Sequence, residues 1–133
     1  MMRMKKDELL FEGLSYRLNG ILFAVHNELG RFSRERQYAD LFEAKLQHAR
    51  INYEREKELP IEVGGKIVRG NKVVFVIEGK VLVDLKAKSF VTRGDYYQMQ
   101  RYLGAAKFKL GMIVNFHRKY LHPKRIINYH LAR

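Results

Sequence analysis

The segment Val73-Val74-Phe75-Val76-Ile77 constrains the fold more than any other part of the chain. All five residues are apolar and most are β-branched, with no polar residue between them. A strand of this kind is buried on both faces, because an exposed face would require every second side chain to be polar. We therefore expect a central sheet with further structure packed on both sides of it.

Helical spacing precedes and follows this segment. Apolar residues recur at steps of three and four over 7–29, over 34–49 and again over 94–107, which predicts three helices with one apolar face each. Gly30 is expected to end the first helix, and Ser33 is a candidate N-cap for the second. The predicted helices supply the layers that a doubly buried strand requires.

Extended patterns account for the remaining chain. Residues 53–63 fit extended structure, 81–87 alternates apolar with partly polar residues, and 110–116 and 125–130 predict two later strands. The order is ααβββαββ. It predicts an α/β fold in which a mixed central β-sheet is flanked by helices.

The charge balance indicates a polyanionic partner. The 133 residues are expected to form a single domain over 1–133. They carry 26 Lys and Arg against 14 Asp and Glu, a net charge of +12. Such a chain attracts nucleic acid, anionic lipid or an acidic protein. Nucleic acid is the favoured partner because the basic residues cluster beside candidate carboxylates.

Missing residue types exclude several chemistries. The sequence has no Cys, which excludes disulfides, thiolate zinc sites and cysteine nucleophiles within it. It has no apolar run of the roughly 18 residues that a membrane span needs, and its basic N-terminus is not followed by an apolar signal core. The expectation is a soluble, cytoplasmic protein with no membrane partner.

The first candidate for chemistry is Asp84-x-Lys86. A spacing of two places both side chains on one face of a strand. The carboxylate could bind a hard divalent cation, and the lysine could orient a water or stabilise charge at a phosphorus atom. The plain alternative stays open, since any half-exposed strand alternates polar with apolar residues.

Glu35 is the second candidate because it falls on the apolar stripe of its helix, three residues before Tyr38. A carboxylate facing the core needs a metal, a lysine or backbone donors. The alternative is that an acid in the first helical turn simply favours the positive end of the helix dipole. Gln98, at the border of the apolar face of the third helix, could orient a water or only join a local network.

Several cations surround these candidates in the sequence. They flank the start of the second helix, follow the Asp84 strand and open the last loop. The predicted nucleic-acid-binding residues are Arg31, Arg34, Arg36, Lys88, Arg93, Arg118 and Lys119.

The ordered motifs resemble those of the GxxExxY protein family, which belongs to the PD-(D/E)XK nuclease superfamily. The match spans about residues 18–128, and any one motif alone would be weak. The matching segments are Leu29-Gly30, Glu35-x-x-Tyr38, the Val81–Ala87 strand with its Asp84-x-Lys86, Gln98 with Tyr102-Leu103, Gly111 with Asn115-Phe116, and Lys124-Arg125-Ile126.

The resemblance implies a restriction-endonuclease-like core with a metal cleft at one edge of the sheet. It implies catalytic roles for Glu35, Asp84, Lys86 and Gln98, with Glu35 and Asp84 as ligands of Mg²⁺ or Mn²⁺. The implied function is metal-dependent hydrolysis of phosphodiester bonds in DNA, which is favoured over RNA. Compact basic nuclease domains often dimerise, so a homodimer is one expectation for the assembly.

One position departs from the family pattern. The family places an aspartate ten residues before the acid of the strand motif, where this chain has Val74. A two-residue turn at Glu78-Gly79 would pair Val74 with Val83, whereas a three-residue loop would pair it with Asp84, and the resemblance favours the second register. Loss of this acid should weaken metal binding and impair hydrolysis.

Two rival functions follow from that departure and from the charge. One is a catalytically inactive nucleic-acid-binding module that keeps the nuclease fold. The other is a basic structural subunit that binds an acidic protein partner through its positive charge.

Overall fold

The computed structural model describes residues 10–58, 61–68 and 72–129. Within these ranges the chain forms three helices and seven strands. In chain order they are α1 (Glu12–Leu29), α2 (Glu35–His48), β1 (Tyr53–Glu58), β2 (Ile61–Val63), β3 (Lys66–Val68), β4 (Lys72–Ile77), β5 (Val81–Lys86), α3 (Arg93–Ala106), β6 (Leu110–Asn115) and β7 (Lys124–Ile127).

Five strands form the central sheet in the order β1-β4-β5-β6-β7. Strands β5 and β6 are parallel, and the other neighbouring pairs are antiparallel. The parallel pair requires a crossover, which α3 provides. The predicted α/β fold with a mixed sheet flanked by helices is therefore confirmed.

One face of the sheet packs on α1 and α2. Leu18 and Leu22 of α1, Phe42 of α2, and Phe75 and Val83 of the sheet are completely buried in this larger core. The ring of Phe42 meets that of Phe75 edge to face with centroids 4.9 Å apart, a preferred aromatic geometry. The odd-numbered side chains of β5 belong to this face.

The other face packs on α3. Val76, Leu82 and Ile113 of the sheet meet Met99 and Leu103 of α3 in a second, smaller core. The doubly buried central strand is thus confirmed at Phe75, Val76 and Ile77, whose side chains are buried on alternate faces.

Gly111 lets α3 approach β6 closely. A Cβ atom built at this glycine would stand 2.5 Å from the sulfur of Met99, closer than any van der Waals contact. The glycine at the start of the Gly111-x-x-x-Asn115-Phe116 motif therefore has a packing role between helix and sheet.

The element order is ααβββββαββ, so the predicted order ααβββαββ lacked two strands. The predicted extended region of 53–63 contains both β1 and β2, and β3 follows it. The strands β2 and β3 pair with each other in a separate two-stranded sheet, joined by Gly64 and Gly65, both with positive φ. Strands of three residues are too short to show a clear alternation. The predicted ends at 7–9 and 130 lie outside the described residues.

Ser33 does not cap α2, contrary to expectation. The N-cap is Arg34, whose backbone N–H donates to Oε1 of Gln37 at 2.8 Å. The hydroxyl of Ser33 instead donates to the carbonyl of Leu29 at 3.2 Å, so it closes the turn after α1. As a result Glu35 is the first residue of α2.

Among the described residues, no helix combines the length and the apolar character that crossing a membrane would demand.

Candidate active site

Asp84 and Lys86 lie side by side at the carboxyl end of β5. The Lys86 Nζ atom stands 3.0 Å from Oδ2 of Asp84, and only 16% and 17% of the two side chains is exposed. Their even-numbered positions place them on the same face as Leu82, which is the α3 face. The structure thus brings the predicted acid and amine together in a largely dry setting.

Asp95 completes a network around Lys86. Its carboxylate lies 3.6 Å from the Lys86 Nζ atom and 2.5 Å from that of Lys88, and 12% of its side chain is exposed. Lys86 therefore stands between two aspartates, one on β5 and one in the first turn of α3. This arrangement fixes the position of the amine.

Asp95 is the residue of this network that sequence reasoning missed. The sequence carries only a capping signal at this position, the capping box Thr92-x-x-Asp95. Thr92 donates its backbone N–H to Oδ2 of Asp95 at 2.8 Å, and the Asp95 N–H donates to the Thr92 hydroxyl at 3.2 Å. Capping explains an acid at this position fully, so nothing in the sequence indicated its second role beside Lys86.

The pKa of Asp95 reflects this role. Burial would raise it, but hydrogen bonds from Lys88 and from the Thr92 backbone, together with the Lys86 charge, lower the pKa to about 2. Asp95 is therefore a carboxylate at all physiological pH values and a permanent counter-charge for Lys86 and Lys88.

Glu35 is held at the start of α2 by Tyr38. The Tyr38 hydroxyl donates to the carbonyl of Gly30 at 2.5 Å and accepts from the Ser33 N–H at 3.1 Å. Its completely buried ring stacks on Phe116 with centroids 4.2 Å apart. The tyrosine of the Glu35-x-x-Tyr38 motif thus fixes the turn before the helix and joins it to the end of β6.

Glu35 does not face the core, contrary to the expectation from its place on the apolar stripe, because its side chain is exposed in the first turn of α2. Charges at the end of β5 nevertheless act on it. Its pKa is raised first by partial burial and then by repulsion from Asp84, while Lys86 and Lys88 lower it by less. Of the sequence-predicted trio, the structure places Asp84 and Lys86 in contact, and it places Glu35 near enough for their charges to act on its carboxylate.

Burial also shifts the pKa values of Asp84 and Lys86. Burial raises the pKa of Asp84, and attraction and hydrogen bonding from Lys86 offset this only in part. For Lys86, burial would lower the pKa, but Asp84, Asp95 and Glu35 together outweigh it and raise the pKa. The Lys86 amine therefore stays protonated well into alkaline pH. Asp84 and Glu35 hold their protons to a higher pH than ordinary carboxyls do.

The donor set fits a hard divalent cation with a mostly non-protein shell. Burial raises the pKa of both carboxyls, repulsion from Asp84 raises that of Glu35 further, and Lys86 offsets only part of this, so a bound cation would stabilise both carboxylates. Magnesium is usually bound through one or two carboxylates plus waters and substrate phosphates. No group of three or more His, Cys, Asp or Glu in the described part of the chain could hold a metal, so the pair of ligands Glu35 and Asp84 stays a prediction.

The hairpin register shows where the third carboxylate of the family pattern would lie. Strands β4 and β5 pair Ile77 with Val81 and Phe75 with Val83, which is the three-residue loop. Continuing this register by one residue places Val74 opposite Asp84. The position where the family pattern has an aspartate is thus a direct cross-strand neighbour of the site.

Two other acids, Glu78 and Glu62, lie in or near the central hairpin in the sequence. Glu78 lies in the β4–β5 turn, where its carboxylate accepts the Asn52 N–H at 2.9 Å, three residues beyond Phe75 and at the opposite end of the hairpin from Asp84. Glu62 lies in β2 with an exposed side chain. Neither has a contact that joins it to Asp84 or Glu35 in the described structure.

Gln98 lies on α3 one turn after Asp95. Its amide nitrogen donates to the Tyr102 hydroxyl at 2.9 Å, on the same helix. The glutamine therefore makes the local contact that the plain alternative expected, and its catalytic role stays a prediction.

The predicted basic residues lie at the same end of the sheet as the carboxylates. Arg31 donates from Nε to the carbonyl of His117 at 2.9 Å, which joins the loop before α2 to the loop after β6. Lys88 is bound to Asp95. The others have exposed side chains around this end: Arg34, Arg36, Arg93, Arg118 and Lys119.

Comparison with known proteins agrees with this arrangement. The model of the PD-(D/E)XK nuclease superfamily matches residues 12–127, which include every residue of the site. The chain belongs to the PD-(D/E)XK nuclease superfamily. A nuclease-like function and nucleic-acid binding follow at the level of the superfamily, whose members usually use divalent metals.

The fold also matches a solved structure described as the crystal structure of SSO0001. The TM-score is 0.51 at 20% sequence identity, over 71% of this chain and 52% of the other. The matched region thus spans about half the length of that protein, and the likeness concerns the fold alone. No curated protein matches the chain.

Proposed function

We propose that this PD-(D/E)XK protein hydrolyses phosphodiester bonds in DNA with the help of Mg²⁺ or Mn²⁺. Glu35 and Asp84 hold the metal, and Lys86 acts on the reacting phosphate. The observation that carries the proposal is that Glu35 lies near enough to Asp84 and Lys86 for their charges to shift its pKa. These residues come from a helix and a strand that are 49 residues apart in the sequence.

Each side chain has a defined task in this mechanism. The bound metal would activate a water and withdraw charge from the phosphate oxygens. Lys86 stabilises the negative charge that grows on those oxygens when the water attacks phosphorus and the sugar oxygen leaves. Asp84 and Asp95 lie 3.0 Å and 3.6 Å from the amine and hold it in place, so Lys86 is a preorganised cation.

We also assign the chain to the GxxExxY group of the superfamily. The support is that its motifs contact one another. Tyr38 stacks on Phe116. The side-chain amide of Asn115 makes hydrogen bonds of 2.7 and 3.2 Å with the backbone of Lys88. Gly111 has no side chain, which leaves room for Met99 to pack against the strand. These contacts join the start of α2, the end of β5 and the end of β6 around the charged residues.

A catalytically inactive DNA-binding module is the second candidate function. The register that places Val74 opposite Asp84 favours it, since a site with two carboxylates binds Mg²⁺ more weakly than one with three. In that case the basic rim still binds DNA and the affinity depends steeply on salt.

A nicking assay separates the two candidates. Supercoiled plasmid is incubated with the protein in Mg²⁺, in Mn²⁺ and in excess EDTA. We expect nicking with either metal and none in EDTA. Asp84→Asn should lower the rate about a hundredfold or more, because metal assistance contributes several kcal/mol to the transition state.

The matched control is Asp40→Asn, which makes the same chemical change at an acid of α2 that binds Arg55 outside the site. It should leave nicking unchanged. DNA binding without nicking in any metal would favour the inactive module, and equal nicking by the Asp84 and Asp40 variants would contradict the proposed site.

A further inference from the structure

A cavity lies over β6, close to the end of the sheet that carries Asp84. It measures about 360 Å³ and lies between the loop after β5, the end of β6 and the start of β7. The residues that matter for its chemistry are Phe90, Tyr96, Asn115, Arg118, His122 and Lys124. None of the residues that line this cavity belongs to the carboxylate site.

The two walls of the cavity differ in chemistry. Phe90 and Tyr96 line one wall, and 77% of the Phe90 side chain is exposed. Arg118, His122 and Lys124 line the other. An aromatic surface that faces two permanent cations and a histidine matches a nucleotide, with its base on the rings and its phosphate on the cations.

The sheet register places this cavity within reach of the carboxylates. Ile113 in its floor pairs with Asp84 on one side and with Lys124 on the other. All three therefore lie on the α3 face, and Lys124 is two strand spacings, about 10 Å, from Asp84. A nucleotide strand whose phosphate lies at Asp84 can place a neighbouring nucleotide in the cavity.

The walls are fixed before any ligand arrives. Asn115 is 5% exposed, and both ends of its side-chain amide bind the backbone of Lys88, which holds the loop that carries Phe90. The His26 Nε2–H donates to the carbonyl of Arg118 at 2.9 Å, which holds the opposite loop. Such preorganisation lowers the entropic cost of binding.

We propose that this cavity binds one unpaired nucleotide of the DNA strand, so that the protein prefers single-stranded DNA over duplex. The base of a paired nucleotide is enclosed in the duplex stack and cannot reach Phe90. An unpaired base can leave the stack and lie on the ring, while its phosphate meets Arg118 and Lys124. This inference rests on the proposed function and specifies its substrate.

The test is fluorescence anisotropy in EDTA, which measures binding without cleavage. The probes are a labelled oligothymidine of about 12 nucleotides, the length range of one binding site, and a duplex of equal length. Phe90→Ala should weaken single-strand binding about 5- to 100-fold, the effect of one base–aromatic stack, and change duplex binding less than about twofold. Since Phe90 is mostly exposed, the variant should fold.

Matched controls separate stacking from general effects. Tyr16→Ala removes an 81% exposed aromatic on α1 and should leave both affinities unchanged. Arg118→Ala should reduce the salt slope for single strands by about 0.7, whereas Arg101→Ala, an exposed arginine of α3 outside the cavity, should preserve most of the single-strand affinity.

Equal losses on both probes, no loss for Phe90→Ala, or no measurable single-strand binding at low salt would overturn the inference. Its failure is distinct from failure of the proposed hydrolysis. A protein that nicks DNA but shows no Phe90-dependent preference loses the cavity assignment. A protein that shows the preference but never cleaves keeps the cavity and loses the hydrolytic role.

Discussion

Replacing Lys86 with alanine is expected to lower the rate of DNA cleavage about 100- to 1000-fold, the usual effect of removing one preorganised donor from a transition state. No other amine lies 3.0 Å from Asp84 in the described structure. Lys88 is held by Asp95 at 2.5 Å, so it cannot replace the missing charge without breaking that pair.

The Lys86 variant should also shift the pH dependence. Lys86 lowers the pKa values of both Glu35 and Asp84, and its removal raises them further above their ordinary range. Metal binding needs both acids deprotonated, so residual activity should fall away at a higher pH than in the parent protein. Rates measured against pH at saturating Mn²⁺ test this shift.

The matched control is Lys80→Ala in the exposed β4–β5 turn, which removes one positive charge away from the site. It should cleave at the parent rate. If the Lys86 variant cleaved as fast as this control, Lys86 would have no part in the chemistry, or the activity would belong to a contaminating nuclease.

Replacing Val74 with aspartate is expected to have the opposite effect. The β4–β5 register places residue 74 opposite Asp84, so the substitution adds a third carboxylate to a site that has two. Mn²⁺ affinity should rise at least about tenfold, and cleavage at low metal concentration should rise with it, because carboxylate number sets the affinity of such sites. Calorimetric titration and nicking rates measure the two effects.

Stability provides a second readout for the same variant. Without metal, a third negative charge beside Glu35 and Asp84 should lower the melting temperature. Added Mn²⁺ should then raise it more than in the parent protein, since tighter binding to the folded state gives greater stabilisation. Val74→Asn is the control, because it has similar size but adds no charge.

An unchanged metal affinity in the Val74 aspartate variant would contradict the inferred register at this position. An unchanged cleavage rate despite tighter metal binding would instead show that the missing acid does not limit hydrolysis. The two measurements therefore separate the geometric claim from the chemical one.

The sequence predicted most of the site because the relevant signals are local. The five apolar residues of 73–77 required layers on both sides, and the spacing of Asp84 and Lys86 placed them on one face. The choice between a two- and a three-residue turn was open from the residues alone. The strand pairing settles it, because Ile77 pairs with Val81 and Phe75 with Val83.

The features that the sequence did not reveal depend on contacts between distant segments. Asp95 satisfies a capping box, so its second contact, with Lys86 of the neighbouring strand, has no local signature. The cavity lined by Phe90 and Lys124 likewise arises only where the loops after β5 and β6 meet the start of β7. The β2–β3 hairpin was not predicted, because strands of three residues are too short to show an alternating pattern.

The central claim is that Glu35 and Asp84 bind the same metal ion. Mn²⁺ binding measured by electron paramagnetic resonance, with and without oligonucleotide, tests it most directly. We expect one ion per chain, with affinity reduced at least about tenfold by Glu35→Gln and by Asp84→Asn, and little further loss in the double variant because both act on one ion. Absence of bound Mn²⁺ under both conditions, or an affinity that responds to only one of the two substitutions, would contradict the account.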